Sequence, residues 1–472
     1  MVAKRLLYFV LILSIGSIST TFSQTGITDT EYKIELMGAS STGGMSAFWL
    51  QNNRNGTVSF QPHSGSFTAG IAKTTISKNR IFDYGFKADA QLQIDGNTRL
   101  YFPELYANAR LFMFEVKVGR SIEYHGNQDS TLSSGGLLFS QNALPLPSIS
   151  AGIPQFTTLP FTFKRIEIKG AIIHGIFTDN VMGEKILLHH KYGYVRVGGD
   201  FPVKVQYGLH HVAQWGGNIP GLGQQPAGIK DFKRIFLANS GDSNAPLPDQ
   251  INTLGNHIIS QNLKLELDFP RFHVDGYWQN LSEDGPVRFM TQAMNISDGL
   301  WGIVLKPNRL PIIKGVLYEF VNTTDQSGPY HDKDGIVYGG NDSYFNNGIY
   351  QAGWTYFSRT IGIPFITSPV YSNYFDIKNN RVKAHHLGIN GKIESINYKM
   401  LLSFTKNYGT YSLPFESMKR NTLFLVEFNR RFPSLSDVEV SVSLAADRGS
   451  LYGNNSGCMI RLRKTGNLFN LK

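Results

Sequence analysis

Three adjacent histidine pairs, His189-His190, His210-His211 and His385-His386, are the first residues of this 472-residue chain whose types could do chemistry. Imidazoles hold transition metals. Neighbours in an extended strand point to opposite faces, so the members of a pair do not help each other chelate, and the spacing predicts no metal. Asp325, Asp332, Asp334 and Asp342 crowd one segment. Carboxylates suit calcium, but this spacing is not that of an EF-hand and reads as ordinary loop acids. The sequence has neither a Gly-x-Ser-x-Gly elbow nor a Walker loop, so no motif supports an enzyme. No cofactor is expected.

A different chemistry suits the aromatics. Trp215, Tyr330, Tyr338, Tyr344, Tyr350, Trp354 and Tyr356 stand among Asn, Gln, Asp and Arg. Sugars present apolar C–H faces and hydroxyls, which fit stacked rings beside planar polar groups. The competing reading places these rings in interfacial girdles or packed loops.

The elements that must position them are strands. From 82 to 95, Phe82, Tyr84, Phe86, Ala88, Ala90, Leu92 and Ile94 alternate with Asp83, Gly85, Lys87, Asp89, Gln91, Gln93 and Asp95. Strict alternation puts one apolar and one polar set on opposite faces. The run exceeds the about 5–6 residues of a usual strand and reaches the about 9–11 that cross a membrane. Alone, it fits a soluble sandwich as well as a transmembrane barrel. Composition separates the two. Aromatics reach 12%, while charged residues are only 17%, below the roughly 25% of soluble domains. With 48 Gly, this balance fits aromatic girdles and half-apolar strands.

At the N-terminus, Lys4 and Arg5 precede an apolar core over residues 6–15, and Thr21-Phe22-Ser23 offers small residues for cleavage after Ser23. Residues 1–23 read as a secretory signal and 24–472 as one exported domain. The only cysteine, Cys458, forms no internal disulfide. The formal charge of +10 suits an anionic surface partner such as lipopolysaccharide or an acidic capsule. No dense basic block supports nucleic acid.

Period-2 segments recur at 33–38, 114–120, 164–170, 263–269 and 438–444, each a strand with one wet face. Asp95-Gly96-Asn97, Asp275-Gly276, Phe269-Pro270-Arg271 and Asn390-Gly391 read as turns, the last as a two-residue hairpin from 384–389 to 392–404. Longer loops are expected at 44–65, 124–160, 215–256, 280–299, 322–349 and 406–419, with one short helix at 229–238. At roughly 25 residues per strand and connection, the chain holds about 16–20 strands.

Five stretches resemble the Wzi-type capsule-assembly proteins of the outer membrane, in their Bacteroidetes form. They are 47–56 (Ala-Phe-Trp-Leu-Gln-Asn-Asn-Arg-Asn-Gly), 207–217 and 297–302, then an ordered set from Tyr318-Glu319 through Gln326-Ser327-Gly328-Pro329, Gly340-Asn341-Asp342, Tyr344 and Gly353-Trp354 to Ile361-Gly362-Ile363-Pro364, and last Ala446-Asp447-Arg448-Gly449 with Gly453. The resemblance implies an all-β antiparallel transmembrane barrel of about 18 strands with long outer loops. It also implies a non-catalytic, lectin-like role without a cofactor, holding capsular or exopolysaccharide at the cell surface. The family's helical bundle has no counterpart in helical periodicity between Gln24 and Lys73.

The expectation is therefore a monomeric outer-membrane barrel that binds polysaccharide through its outer loops and lumen mouth. Gln326, Asn341, Asp342, Tyr344, Trp354 and Arg359 are the first candidates, with His211 and Trp215 next. Arg359 would pair with a uronic carboxylate through two parallel bonds. A passive porin or oligosaccharide channel is the first alternative, and an outer-membrane lipid or glycan hydrolase the second.

Overall fold

Alternation of apolar and polar residues governs the whole architecture. In the computed structural model, which describes residues 29–74, 81–181, 183–283, 297–310, 312–326, 332–333, 336–337, 342–372 and 374–470, eighteen antiparallel strands form one sheet. In chain order they are Glu31–Ser41, His63–Lys73, Phe82–Ile94, Thr98–Leu111, Phe114–Arg120, Ser148–Thr158, Ile166–Ile176, Leu187–Val197, Val203–Trp215, Asn256–Asp268, Phe272–Glu283, Gly299–Pro307, Gly315–Asn322, Val382–Ile393, Ile396–Gly409, Pro414–Phe432, Val438–Gly449 and Asn455–Asn467. Each pairs with the next. The last pairs with the first, from Glu31 opposite Asn467 to Ser41 opposite Gly457, and closes the barrel. Closure leaves no sheet edge without a partner.

The strand Phe82–Ile94 shows how side chains divide. Phe82 is 57% exposed and Asp83 5%, and Asp89, Gln91 and Gln93 are buried inside. Leu36, Val116, Val195, Leu265, Leu387 and Ile460 face outward in the same way. The outer wall is apolar, the inner wall polar, as a membrane barrel requires.

Because successive strands reverse, connections alternate between two ends. At one end lie the start of the first strand, the end of the last and only short connections: 74–81, 112–113, 159–165, 198–202, 269–271, 308–314, 394–395 and 433–437. The other end carries the long connections 42–62, 121–147, 216–255, 284–298 and 323–381, with the shorter 95–97, 177–186, 410–413 and 450–454. Short periplasmic turns opposite long outer loops are the arrangement of outer-membrane barrels. Phe82, Phe112, Phe114, Phe161, Phe163 and Phe201 stand exposed around the short-turn end, where an aromatic girdle belongs.

Several boundaries differ from those the sequence suggested. The strand Val382–Ile393 runs straight through Asn390-Gly391 and turns at residues 394–395 instead. Asn390 and Gly391 are paired with Lys399 and Tyr398, and the Ile312 carbonyl lies 1.7 Å from where a Cβ on Gly391 would sit. That glycine serves a close backbone approach, not a turn. Asp275-Gly276 likewise lies within the strand Phe272–Glu283, since Asp275 faces inward onto Lys264 and His273. Residues 148–158 and most of 406–419 are strand, and the loop begun at 322 continues to 381. Period-2 pattern is weak there: Ser148–Thr158 mixes small residues on both faces. Asp95-Gly96-Asn97 and 269–271 are turns, and the helix spans Ile229–Leu237.

Candidate functional site

The barrel is plugged from its long-loop end. Segments 42–62, 121–147 and the described parts of 323–381 fold back into the lumen and carry a hydrophobic core of their own. Phe48, Trp49, Leu50, Leu137, Trp354 and Phe365 are its centre, each at most 1% exposed.

Inward-facing wall residues seat each segment. The Phe48 amide, in the one-turn helix Phe48–Gln51, donates to Asp447 Oδ2 at 2.8 Å. Arg54 reaches Glu427 at 2.7 Å. Glu319 accepts from Ser133 Oγ, from the amide and hydroxyl of Ser134, and from the Tyr277 hydroxyl. His386 Nε2 donates to the Leu132 carbonyl at 2.8 Å, so its Nδ1 accepts from Ser403.

The segments also bind one another. Trp354 Nε1 donates to the Leu138 carbonyl at 2.8 Å. Asn142 Nδ2 donates to the Thr360 carbonyl at 3.0 Å, and Ser140 Oγ to that of Gly362 at 2.7 Å. Arg359 donates to Gln51 and Val58 and lies over the Phe60 ring. Burial pulls Arg359 down to about 10, which leaves it charged at pH 7. Gly353 takes a φ of 68°, and the Phe345 carbonyl stands 1.9 Å from where its Cβ would be; only glycine permits that approach.

Most residues proposed from sequence therefore sit inside this plug. Gln326 spans the Thr323 and Asn380 carbonyls and the Tyr344 amide. Tyr344 and Trp354 are fully buried, and Arg359 is 4% exposed. Asp342 is half-buried and accepts from the Ser343 amide. Asn341 lies outside the described residues, as do Tyr330, Tyr338 and Asp334. His211 and Trp215 are elsewhere, on the outer wall, where the helix Ile229–Leu237 lays Phe232 against Trp215 and His189. His257 Nε2 donates to the Leu254 carbonyl and its Nδ1 accepts from His211 at 2.7 Å.

A cavity of about 610 Å³ lies between the plug and the wall toward the short-turn end, lined by Lys33, Arg54, Lys87, Glu104, Lys399 and Glu427 among others. At the long-loop end, sequence reasoning passed over 374–381. There Tyr374 is 60% and Phe375 47% exposed. Lys378 lies 4.4 Å from the Tyr374 ring, and Arg381 3.9 Å from that of Tyr411. The signal was available: this stretch has the same mixture of rings, Asn and cations as the segment before it.

No family model matches this chain, and no curated protein matches it. Solved structures do. Wzi, an outer-membrane protein involved in group 1 capsule assembly in Escherichia coli and described as a carbohydrate-binding β-barrel, aligns with a TM-score of 0.60 at 11% identity, over 94% of this chain and 85% of that one. The chain has a Wzi-like fold. The Pseudomonas aeruginosa proteins OccK5 (OpdH) and OpdQ both give a TM-score of 0.48, at 9% and 10% identity, over 93% and 94% of this chain and 99% and 100% of theirs.

Proposed function

We propose that this Wzi-like barrel resides in the outer membrane and attaches or assembles capsular or exopolysaccharide at the cell surface, as a monomer and without catalysis. The observation that supports this most is the plug. Three loops pack a core into the lumen and leave exposed rings and half-buried cations at the long-loop end, with Lys378 paired to Asp376 at 2.8 Å. A filled barrel with such a rim is suited to holding a polymer outside. Tyr374 and Phe375 would stack on sugar faces, and Lys378 and Arg381 would meet acidic groups. Asn341 and Asp342 would bond sugar hydroxyls. Gln326, Tyr344, Trp354 and Arg359 would hold the loops that present this surface, and His211 and Trp215 would fix the base of the loop 216–255. Lipopolysaccharide would surround the outer wall.

The test is retention of the host's own surface polysaccharide by the purified, folded barrel. Tyr374→Ala and Phe375→Ala together should weaken retention at an unchanged melting temperature. Equal retention would remove the rim from the account. The porin reading keeps one observation in its favour, the charged cavity beneath the plug. Steady ion conductance by the wild-type barrel in planar bilayers would favour it.

A further inference from the structure

The three histidine pairs do not chelate as pairs, because each splits across the wall. Splitting has a second consequence. His190 and His210 point into the lumen from neighbouring strands, and the loop 121–147 brings His125 onto them. One nitrogen from each of the three lies within 4.8 Å of the others.

We propose that His125, His190 and His210 form a binding site for a divalent transition ion of the zinc type, which clips the plug loop to the barrel wall. This inference is independent of the polysaccharide reading.

The geometry fits such an ion. At Zn–N distances of about 2.0–2.1 Å, tetrahedral imidazoles place their nitrogens about 3.3–3.4 Å apart. His190 Nε2 and His210 Nδ1 already face each other at 2.9 Å, with one proton between them. An ion between them needs that pair to open by a few tenths of an ångström, the proton to move to His190 Nδ1, and His125 to close in from as far as 4.8 Å by up to about 1.4 Å. The orienting shell is also present. His210 Nε2 is 2.6 Å from the Tyr194 hydroxyl, so its Nδ1 is the nitrogen left for the ion, and such outer partners fix ring and tautomer. Glu123 Oε2 stands 3.8 Å from His125 Nε2, while its Oε1 accepts from Lys117 and Ser121.

The surroundings suit neutral imidazoles. His190 and His210 are about 2% exposed. Phe139 closes the site from the plug side, 4.7 Å from the His190 ring and 4.8 Å from that of His125. A cavity of about 90 Å³ adjoins the site, lined by Glu123, His125, Phe139 and His190 among others. Lys169, 4.5 Å from the Tyr194 ring, and Lys117 are the opposing charges, and Glu123 pairs with Lys117 at 3.0 Å.

The test uses the full mature barrel, folded in detergent and freed of metal with a chelator. Titration with ZnCl₂ should show one ion per chain, and Co²⁺ should give the intense visible absorption of a tetrahedral site. His190→Gln and His210→Gln should each weaken Zn²⁺ binding at least tenfold. Tyr194→Phe should weaken it about 10–100-fold, as outer partners of metal ligands do. His257→Gln and His385→Gln should change nothing. If wild-type barrel takes up no stoichiometric Zn²⁺, or Co²⁺ stays octahedral, the proposal fails without recourse to any variant. Equal affinity in His190→Gln and His257→Gln also overturns it.

Discussion

The guanidinium of Arg359 donates to both the backbone carbonyl and the side-chain oxygen of Gln51, at 3.1 and 2.9 Å, joining residues 308 positions apart. It ties the longest inward loop to the first. Replacing it with Met keeps bulk over Phe60 but strands the buried oxygens, at about 1–3 kcal/mol for each lost partner. Arg359→Met should leave a barrel that still shows heat-modifiable migration on gels, yet raise single-channel conductance and protease cutting within 323–381. Unchanged conductance and cutting would mean that this contact does not hold the plug.

Glu319 gathers four donors from two plug serines and Tyr277. Hydrogen bonds to a charged acceptor each contribute about 1.5–3 kcal/mol. Glu319→Gln replaces one acceptor oxygen with a donor facing donors. It should release the 121–147 loop, read as faster amide exchange over 131–138, while exchange in the strand Phe82–Ile94 stays slow.

Asp298 precedes the strand Gly299–Pro307 and is 1% exposed. Burial raises its carboxyl from 3.8 to about 7, only partly offset by the Asp325 amide that donates to it. The folded state thus holds this proton more tightly than the unfolded one, so stability falls as pH rises between those two values. The melting temperature of the folded barrel should drop from pH 5 to pH 8, and Asp298→Asn should flatten that slope. A slope unchanged by the substitution would locate the effect in another group.

Trp354 fills the plug core with no exposure and donates to the Leu138 carbonyl. Truncating a fully buried Trp costs about 3–5 kcal/mol. Trp354→Ala should lower the plug's unfolding transition and polysaccharide retention together. Loss of retention without any change in the plug would make Trp354 a direct sugar contact instead.

These predictions fall on features of unequal visibility in the sequence. The wall was legible because period 2 is local: Phe82 and Asp83 declare their faces without knowing their neighbours. Loop lengths gave the outer end for the same reason. Asn390-Gly391 misled because turn composition also serves close packing between strands, here against Ile312. The plug was not legible, since Arg359 and Gln51, or Trp354 and Leu138, meet only after the barrel has closed. Trp354 and Arg359 looked like sugar contacts because rings and planar cations serve a packed polar core as well as a ligand. The histidine triad depended on register. Pairing of Tyr192 with His210 and His190 with Val212 sets two imidazoles on a diagonal, which spacing along one strand does not reveal.

Deleting the gene in its host and measuring cell-bound and released surface polysaccharide addresses the central claim most directly. The account predicts that total polymer stays constant while most of it moves from the cells to the medium, and that wild-type protein, but not Tyr374→Ala with Phe375→Ala, restores attachment. Unchanged cell-bound polymer in the deletion strain would contradict it.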